Sequence, residues 1–316
     1  MQESLCSTKT PIIVICAPTA CGKTDLAYKL FSSQSTGILS NRAEIISADS
    51  MQVYKGMDIG TAKPDKEFLR TLPHHLIDIC NPDYQFGAGD FVRHTNIAIK
   101  EIITKNKIPV IVGGTAFYIK NFLYGLPPTP QVDEKIRLEI ENRMKTEGSE
   151  KLMSELQTLD PISAEKIHMH DEYRIKRALE VYHATGKPRS SFMVPQTINN
   201  DYNFLIFCLD RPRQELYTRV EQRVDIMFDM GLANEVQSLK NKGYTKDDPG
   251  MQAIGYREFF TSTSTEEIKQ TIIKSSKAYV KRQQTFFKTF NDAFLVNPEE
   301  ICKIEQKISD FLRNCT

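Results

Sequence analysis

The sequence predicts an α/β fold: a parallel-sheet core interrupted by a mostly helical insertion. Three observations carry this. Short aliphatic runs alternate with helix-periodic segments through the first part of the chain, the pattern of strand–helix–strand units whose helices cover the sheet. A Gly22-Lys23-Thr24 turn stands directly between the first such run and the first such helix. A proline-rich break, Leu126–Pro130, opens a stretch of helical periodicity without strand signals that closes near Pro195. The expected division is therefore 1–127 as the first part of the core, 128–195 as the insertion, and 196–316 as the return to the core.

Taken in order, Ile12–Cys16 is an apolar, β-rich run suited to a strand buried on both faces. Lys23–Phe31 follows as a helix through Leu26, Ala27 and Leu30. Glu44–Ala48 reads as a second strand, Asp90–Ile103 as a helix and Ile108–Val112 as a third strand closed by Gly113-Gly114. In the insertion, Glu134–Leu159 and Asp171–Thr185 read as helices separated by Asp160-Pro161, and Gly186-Lys187-Pro188 terminates the second. Phe204–Leu209 is then a strand, followed by a helix from Gln214 to Met230 and an amphipathic helix over Gln270–Phe290.

The balance of 40% hydrophobic and 26% charged residues is that of an ordinary globular protein, and 316 residues suffice for a sizeable core. A formal net charge of +1 excludes a bulk polycation, so any nucleic-acid partner must be held by local basic patches. The seven cysteines are scattered singly with no Cys-x-x-Cys pair. That argues against a disulfide framework or a zinc site and for a reducing, cytoplasmic setting. Met1–Thr10 lacks the apolar core of a secretory signal, and the aliphatic runs are too short to cross a bilayer, so no membrane association is expected.

Ala17-Pro18-Thr19-Ala20-Cys21-Gly22-Lys23-Thr24 matches G-x-x-x-x-G-K-[ST] except that Ala17 replaces the first glycine. Such a loop turns backbone N–H groups and a helix N-terminus toward phosphate oxygens. Its lysine neutralises charge and its hydroxyl can bind Mg²⁺. A P-loop NTPase-like core is thus expected, with Thr19, Ala20, Cys21, Gly22, Lys23 and Thr24 around a diphosphate and Thr24 on Mg²⁺. Strand C-termini share one edge of a parallel sheet, so Asp49 and Thr115 should sit close to Lys23. A carboxylate there can act as a general base or ligate the metal; the plainer alternative for Asp49 is a helix cap or turn.

In Gln270–Phe290 an apolar stripe through Ile272, Tyr279 and Phe286, and through Ile273, Val280 and Phe287, lies opposite Lys274, Lys277, Lys281 and Lys288, with Arg282 beside them. Such a row fits a phosphate backbone or is a solvated helix face. Arg174, Lys176, Arg177, Lys187 and Arg189 form a second basic group, and the two could clamp an RNA stem. Glu215 and Arg219 have the i,i+4 spacing of an ion pair, which leaves Arg223 without a helical partner at i−4. His74-His75 and His168-Met169-His170 lack metal-site spacing and read as structural or RNA-facing.

Together these segments resemble the tRNA dimethylallyltransferase (tRNA isopentenyltransferase) family of the bacterial type. The matching stretches are Ala17–Thr24, with Cys21 where the family has Ser, the long run Asp49–Pro64, and Ile111–Thr115. Arg177–Val181, Arg219–Arg223, Ala253–Glu258 and Lys281–Phe286 complete them in order over nearly the whole chain. The chain ends without the zinc-finger tail usual in eukaryotic members. The resemblance implies transfer of a dimethylallyl group from dimethylallyl diphosphate to N6 of the adenosine 3′ of the anticodon, in tRNAs reading codons that start with U. It implies Asp49 as general base, Thr115 orienting the reacting groups and Arg223 on the departing diphosphate. It further implies contact with the tRNA anticodon stem-loop through Asp49, Ser50, Met51, Gln52, Thr115, Tyr173, Arg174, Lys176, Arg177, Gln252, Gly255, Tyr256, Arg257, Lys281, Arg282, Gln283 and Thr285; a monomer is the default expectation, which the sequence itself does not determine. An adenylate isopentenyltransferase would share the chemistry but has no need of two basic groups. A P-loop kinase would share Lys23, Thr24 and Asp49 but leaves the Asp49–Pro64 run unexplained. A non-catalytic RNA-binding protein leaves the intact loop unexplained.

Overall fold

Six strands form one sheet in the computed structural model, which describes residues 9–129, 132–192, 195 and 197–315. They are β1 (Thr10–Cys16), β2 (Ala43–Ser47), β3 (His74–His75), β4 (Ile108–Gly113), β5 (Tyr202–Leu209) and β6 (Phe294–Val296). The order is β3-β2-β4-β1-β5-β6, and every neighbouring pair is parallel. Ile12, Ile13, Val14, Ile15 and Cys16 are all fully buried, because helices cover both faces of the sheet; this is why β1 reads as a continuous aliphatic run rather than an alternating one.

The strand ends are sewn together at the edge where the chain leaves the sheet. Ala17 N–H donates to Gly113 O at 3.2 Å, Ala48 N–H to Val112 O at 2.8 Å and Thr115 N–H to Ala48 O at 3.1 Å. Gly113 is required by that approach, since a Cβ there would lie 2.1 Å from Ala48 O. The phosphate loop, Asp49, Thr115 and Arg211 therefore emerge side by side.

The core helices are α1 (Lys23–Phe31), α2 (Lys66–Thr71), α3 (Ala88–Thr104) and α4 (Ala116–Tyr124); the insertion contributes α5 (Glu134–Leu159), α6 (Pro161–Lys166) and α7 (Glu172–Thr185). The return contributes α8 (Arg213–Asp229), α9 (Leu232–Asn241), α10 (Thr265–Phe287) and α11 (Ile301–Arg313). Asp160-Pro161 does more than interrupt: Asp160 accepts from Ser163 N–H and Pro161 occupies the first turn, so the pair starts α6. Gly148, at φ 80° and ψ 168°, breaks α5 within its span.

The chain divides into two compact units, one of residues up to 122 with those from 199 onward, the other of residues 123–198. The smaller has its own core of Ile140, Met144, Leu152, Met153, Leu156, Ile175 and Leu179, so Met144 and Met153 are packing residues. Met1–Thr8, Pro130, Gln131, Met193, Val194, Gln196 and Thr316 lie outside the described residues, and with them the N-terminal segment read for a signal and the end of the proline-rich break. Among the described residues no helix is long and apolar enough to cross a membrane.

Candidate active site

The phosphate loop leaves β1 without needing glycine at its first position. Ala17 is fully buried and is not among the residues with positive φ, so a methyl group is accommodated. The left-handed positions fall later, at Ala20 (φ 64°) and Gly22 (φ 98°), the latter capping α1. Ala20 is an uncommon residue for that conformation, and Arg219 holds it there, donating from Nε to Ala20 O at 2.7 Å. Arg211 Nε grips the next carbonyl, Cys21 O, at 3.0 Å. With these two carbonyls turned to arginines, the N–H groups of Ala20, Gly22, Lys23 and Thr24 meet no acceptor among the described residues. They form a set of orphan donors at a helix N-terminus, which is an anion site.

Arg219 thus corrects an expectation. Glu215 pairs with Arg211 at 2.6 Å, one turn earlier, and not with Arg219, whose guanidinium is drawn to the exposed loop carbonyl. Arg223, one turn further along α8, reaches Thr61 O at 3.4 Å. Burial lowers the pKa of Arg223 from its ordinary value, and the nearby Asp49 carboxylate opposes that shift.

Lys23 Nζ donates to Ala17 O at 3.1 Å and Pro18 O at 3.0 Å. Burial lowers its pKa to about 8, against opposition from Cys21 and Asp49. Cys21 itself is packed in the core, where burial pushes its thiol up to about 11; its amide donates to Pro18 O at 3.3 Å. It shapes the loop and offers no side chain to a ligand. Thr24 is exposed, and its hydroxyl has no partner among the described residues.

Asp49 stands where β2 ends. Its Oδ1 accepts from Met51 N–H at 2.9 Å and Gln52 N–H at 3.3 Å, which leaves Oδ2 free of hydrogen bonds. Thr115 Oγ1 accepts from Ser50 N–H at 2.9 Å. Tyr279 lines the same cavity as Asp49 and Thr115, and burial, then the Asp49 carboxylate, push its hydroxyl up to about 12.

The wall beyond Asp49 is the run to Pro64, and its residues are mostly committed to holding themselves in place. Gln52 is tied to Ser47 Oγ, Thr61 O and Ala62 O. Lys63, its side chain 4% exposed, joins Asp58 (2.5 Å), Asp78 (2.6 Å) and Tyr54 O (2.9 Å). Glu235 accepts the N–H groups of Asp58, Ile59 and Gly60 and the hydroxyl of Tyr256. Gly60 presses on the Tyr256 ring, which a Cβ would meet at 2.4 Å. Glu235→Ala would leave three amides and a buried phenol without an acceptor. It should cost about 2–4 kcal/mol of stability in urea unfolding, and Glu235→Gln should recover part of it.

Lys23, Thr24, Asp49, Ser50, Met51, Gln52, Thr115, Arg223, Gln252, Gly255, Arg257 and Arg282 line one cavity of about 650 Å³, together with Arg219, Tyr279 and Gln283. The remaining expected contact residues differ in their settings. Tyr256 is 0% exposed behind the wall with its hydroxyl on Glu235, while Gln283, at the cavity lining, is 3% exposed with its side-chain amide on Thr19 N–H and Gly114 O. Lys281 and Thr285 are exposed on α10 outside the cavity. Of the lysine row, Lys277 is paired with Glu221 at 2.5 Å while Lys274, Lys281 and Lys288 are exposed. On α7 in the smaller unit, Tyr173 and Arg174 are exposed, Lys176 pairs with Glu141 and Arg177 with Glu180. Arg219, Arg211 and Tyr279 are site residues that sequence reasoning missed. Only the Glu215–Arg219–Arg223 spacing hinted at one of them.

The sequence profile of the family described as IPP transferase matches residues 52–290. The chain is 42% identical over 309 residues to tRNA dimethylallyltransferase 2 of Geotalea uraniireducens (strain Rf4), covering 96% of this chain and 97% of that one. It is 38% identical over 295 residues to tRNA dimethylallyltransferase of Borreliella burgdorferi (strain ZS7), covering 92% and 93%. Among solved structures, the full-length tRNA isopentenylpyrophosphate transferase of Bacillus halodurans superimposes with a TM-score of 0.68 at 33% identity, over 97% and 98% of the two chains. A eukaryotic dimethylallyltransferase captured acting on tRNA does so with a TM-score of 0.74 at 26% identity, over 95% and 77%. Agreement from end to end, in sequence and in fold, makes this chain a member of the IPP transferase family.

Proposed function

We propose that the chain transfers a dimethylallyl group from dimethylallyl diphosphate to N6 of the adenosine 3′ of the anticodon in tRNAs reading codons that start with U, releasing diphosphate. The observation that carries it is the juxtaposition, in one cavity, of the orphan amides at Ala20–Thr24 with a carboxylate whose Oδ2 is unengaged. One pole suits an anionic leaving group and the other takes a proton.

The diphosphate rests on those amides and on Lys23, with Arg223 at its other side. Adenine N6 is a weak nucleophile because its lone pair is delocalised into the ring. As N6 bonds to C1 of the donor, the C1–O bond breaks, the electron pair leaves with diphosphate, and Asp49 takes the N6 proton. General-base help is worth about 10²–10⁴-fold, and the preorganised cations and amides supply the larger share. Thr115, fixed by Ser50 N–H, orients the base. The free Thr24 hydroxyl, beside Lys23 on the same wall, fits Mg²⁺ ligation alongside diphosphate oxygens. When bound, Mg²⁺ would screen charge on the leaving group.

The adenine must leave its stack to reach the cavity. Gln252, Arg257 and Arg282 stand at its mouth, while Lys281 and Thr285 on α10 and Tyr173, Arg174, Lys176 and Arg177 in the helical insertion hold the anticodon stem-loop. We further propose that the chain acts as a monomer in the cytoplasm.

The test is to incubate the protein with Mg²⁺, radiolabelled dimethylallyl diphosphate and either unmodified tRNA or AMP. Label on tRNA, lost in Asp49→Ala, is the expected result. Label on AMP alone would keep the chemistry and replace the acceptor, and turnover of ATP with no label on either would sink the reading.

A further inference from the structure

We propose that Gln283 is a positioning residue that sets the phosphate loop against the end of β4, and not a contact to RNA; this rests on the diphosphate reading of the site. Gln283 projects from α10 and is 3% exposed. Its Oε1 accepts Thr19 N–H at 2.9 Å and its Nε2 donates to Gly114 O at 2.7 Å. One side chain thereby joins three segments far apart in sequence: the loop, the end of β4 and α10.

The fit is tight on the Gly114 side. A Cβ at Gly114 would lie 2.7 Å from Gln283 Nε2, 3.3 Å from Ala17 O and 3.6 Å from Lys23 Nζ, so the glycine makes room for the amide. One turn earlier in α10, Tyr279 lines the same cavity as Thr115, the next residue along. The helix therefore faces the cavity at two successive turns, while its neighbours Lys281, Arg282 and Thr285 are exposed.

The chemistry of the position is restrictive. The side chain must accept from one backbone group and donate to another. It must also bring no negative charge beside a loop that receives an anion. Gln meets both demands; Glu fails both when ionised, Lys cannot accept, and Leu does neither. By occupying Thr19 N–H, Gln283 fixes the start of the loop and so the direction of the free amides at Ala20–Thr24.

The experiment measures binding of inorganic diphosphate with Mg²⁺, and separately of an anticodon stem-loop RNA, to wild type, Gln283→Leu and Gln283→Glu, with steady-state kinetics alongside. In Gln283→Leu the Kd for diphosphate and the KM for the prenyl donor should rise together, by roughly tenfold or more, with RNA affinity within about twofold of wild type. In Gln283→Glu the loss should be larger than in Gln283→Leu, because an ionised carboxylate cannot donate to Gly114 O and adds a negative charge beside the anion site. Weakened RNA binding with unchanged diphosphate binding would overturn the proposal, making Gln283 an RNA contact. Equal loss of diphosphate and RNA binding in both variants would overturn it too, as a general folding defect. Gln283-dependent diphosphate binding in a protein that prenylates no RNA would support this inference and sink the transfer reading.

Discussion

Asp49→Ala should lower turnover by roughly 10²–10⁴-fold and leave tRNA affinity within about twofold of wild type. The proton on adenine N6 has to go somewhere as the new bond forms, and Asp49 is a carboxylate on the cavity wall, at the end of β2, that keeps one oxygen unengaged near Lys23 and Arg223. Alanine also removes the acceptor for Met51 and Gln52 N–H, so part of the loss could come from a loosened turn. Asp49→Asn separates the two effects. Its carbonyl oxygen still accepts both amides while its proton affinity is gone, so it should match Asp49→Ala in turnover and wild type in urea unfolding. Turnover near wild type in Asp49→Asn would remove Asp49 from the role of base and leave it as a turn residue.

That duality bears on what a sequence can reveal. The β1–loop–α1 unit was legible because its signals are local: an aliphatic run, a Gly-Lys-Thr turn and a helix-periodic segment follow one another without a gap. The sheet edge was legible because parallel pairing brings strand ends together whatever the intervening chain does. The short strands β3 and β6 and the helices α2, α4, α6, α9 and α11 were not read. Two or three residues at a sheet margin carry no periodicity, whereas Ala116–Tyr124 does carry an apolar stripe, through Ala116, Ile119, Phe122 and Leu123, that sequence reasoning missed.

The site shows the same division. Asp49, Lys23, Thr24 and Thr115 follow strand ends and could be placed by topology. Arg219 and Arg211 act on loop carbonyls about 190 or more residues away in sequence, and nothing in their neighbourhood announces that. Gln283 and Tyr256 sit in segments that resemble RNA-contacting motifs, yet both are buried with their polar atoms committed to partners within the protein. A motif marks residues that a site needs; it does not separate those that touch the ligand from those that hold the wall.

Lys23 supplies a second large effect, and its sign can be worked out in two observables. Burial holds its pKa near about 8 against an ordinary 10.5. With Lys23 on the diphosphate as proposed, binding needs the ammonium, so above about pH 8 the free enzyme loses the charge and the KM for the prenyl donor should climb, up to about tenfold per pH unit. Folding runs the other way. Between about pH 8 and pH 10.5 the unfolded chain holds a proton at Lys23 that the folded chain has released, so raising the pH through that window favours the folded state at this group. Donor affinity should thus fall while this contribution to stability rises. Lys23→Met should remove both slopes and, by deleting a cation from the leaving-group site, lower turnover by roughly 10²–10³-fold at neutral pH. A donor KM in wild type that stays flat from about pH 7 to about pH 10 would mean that the lysine keeps its proton throughout, held by partners stronger than the two loop carbonyls it now faces.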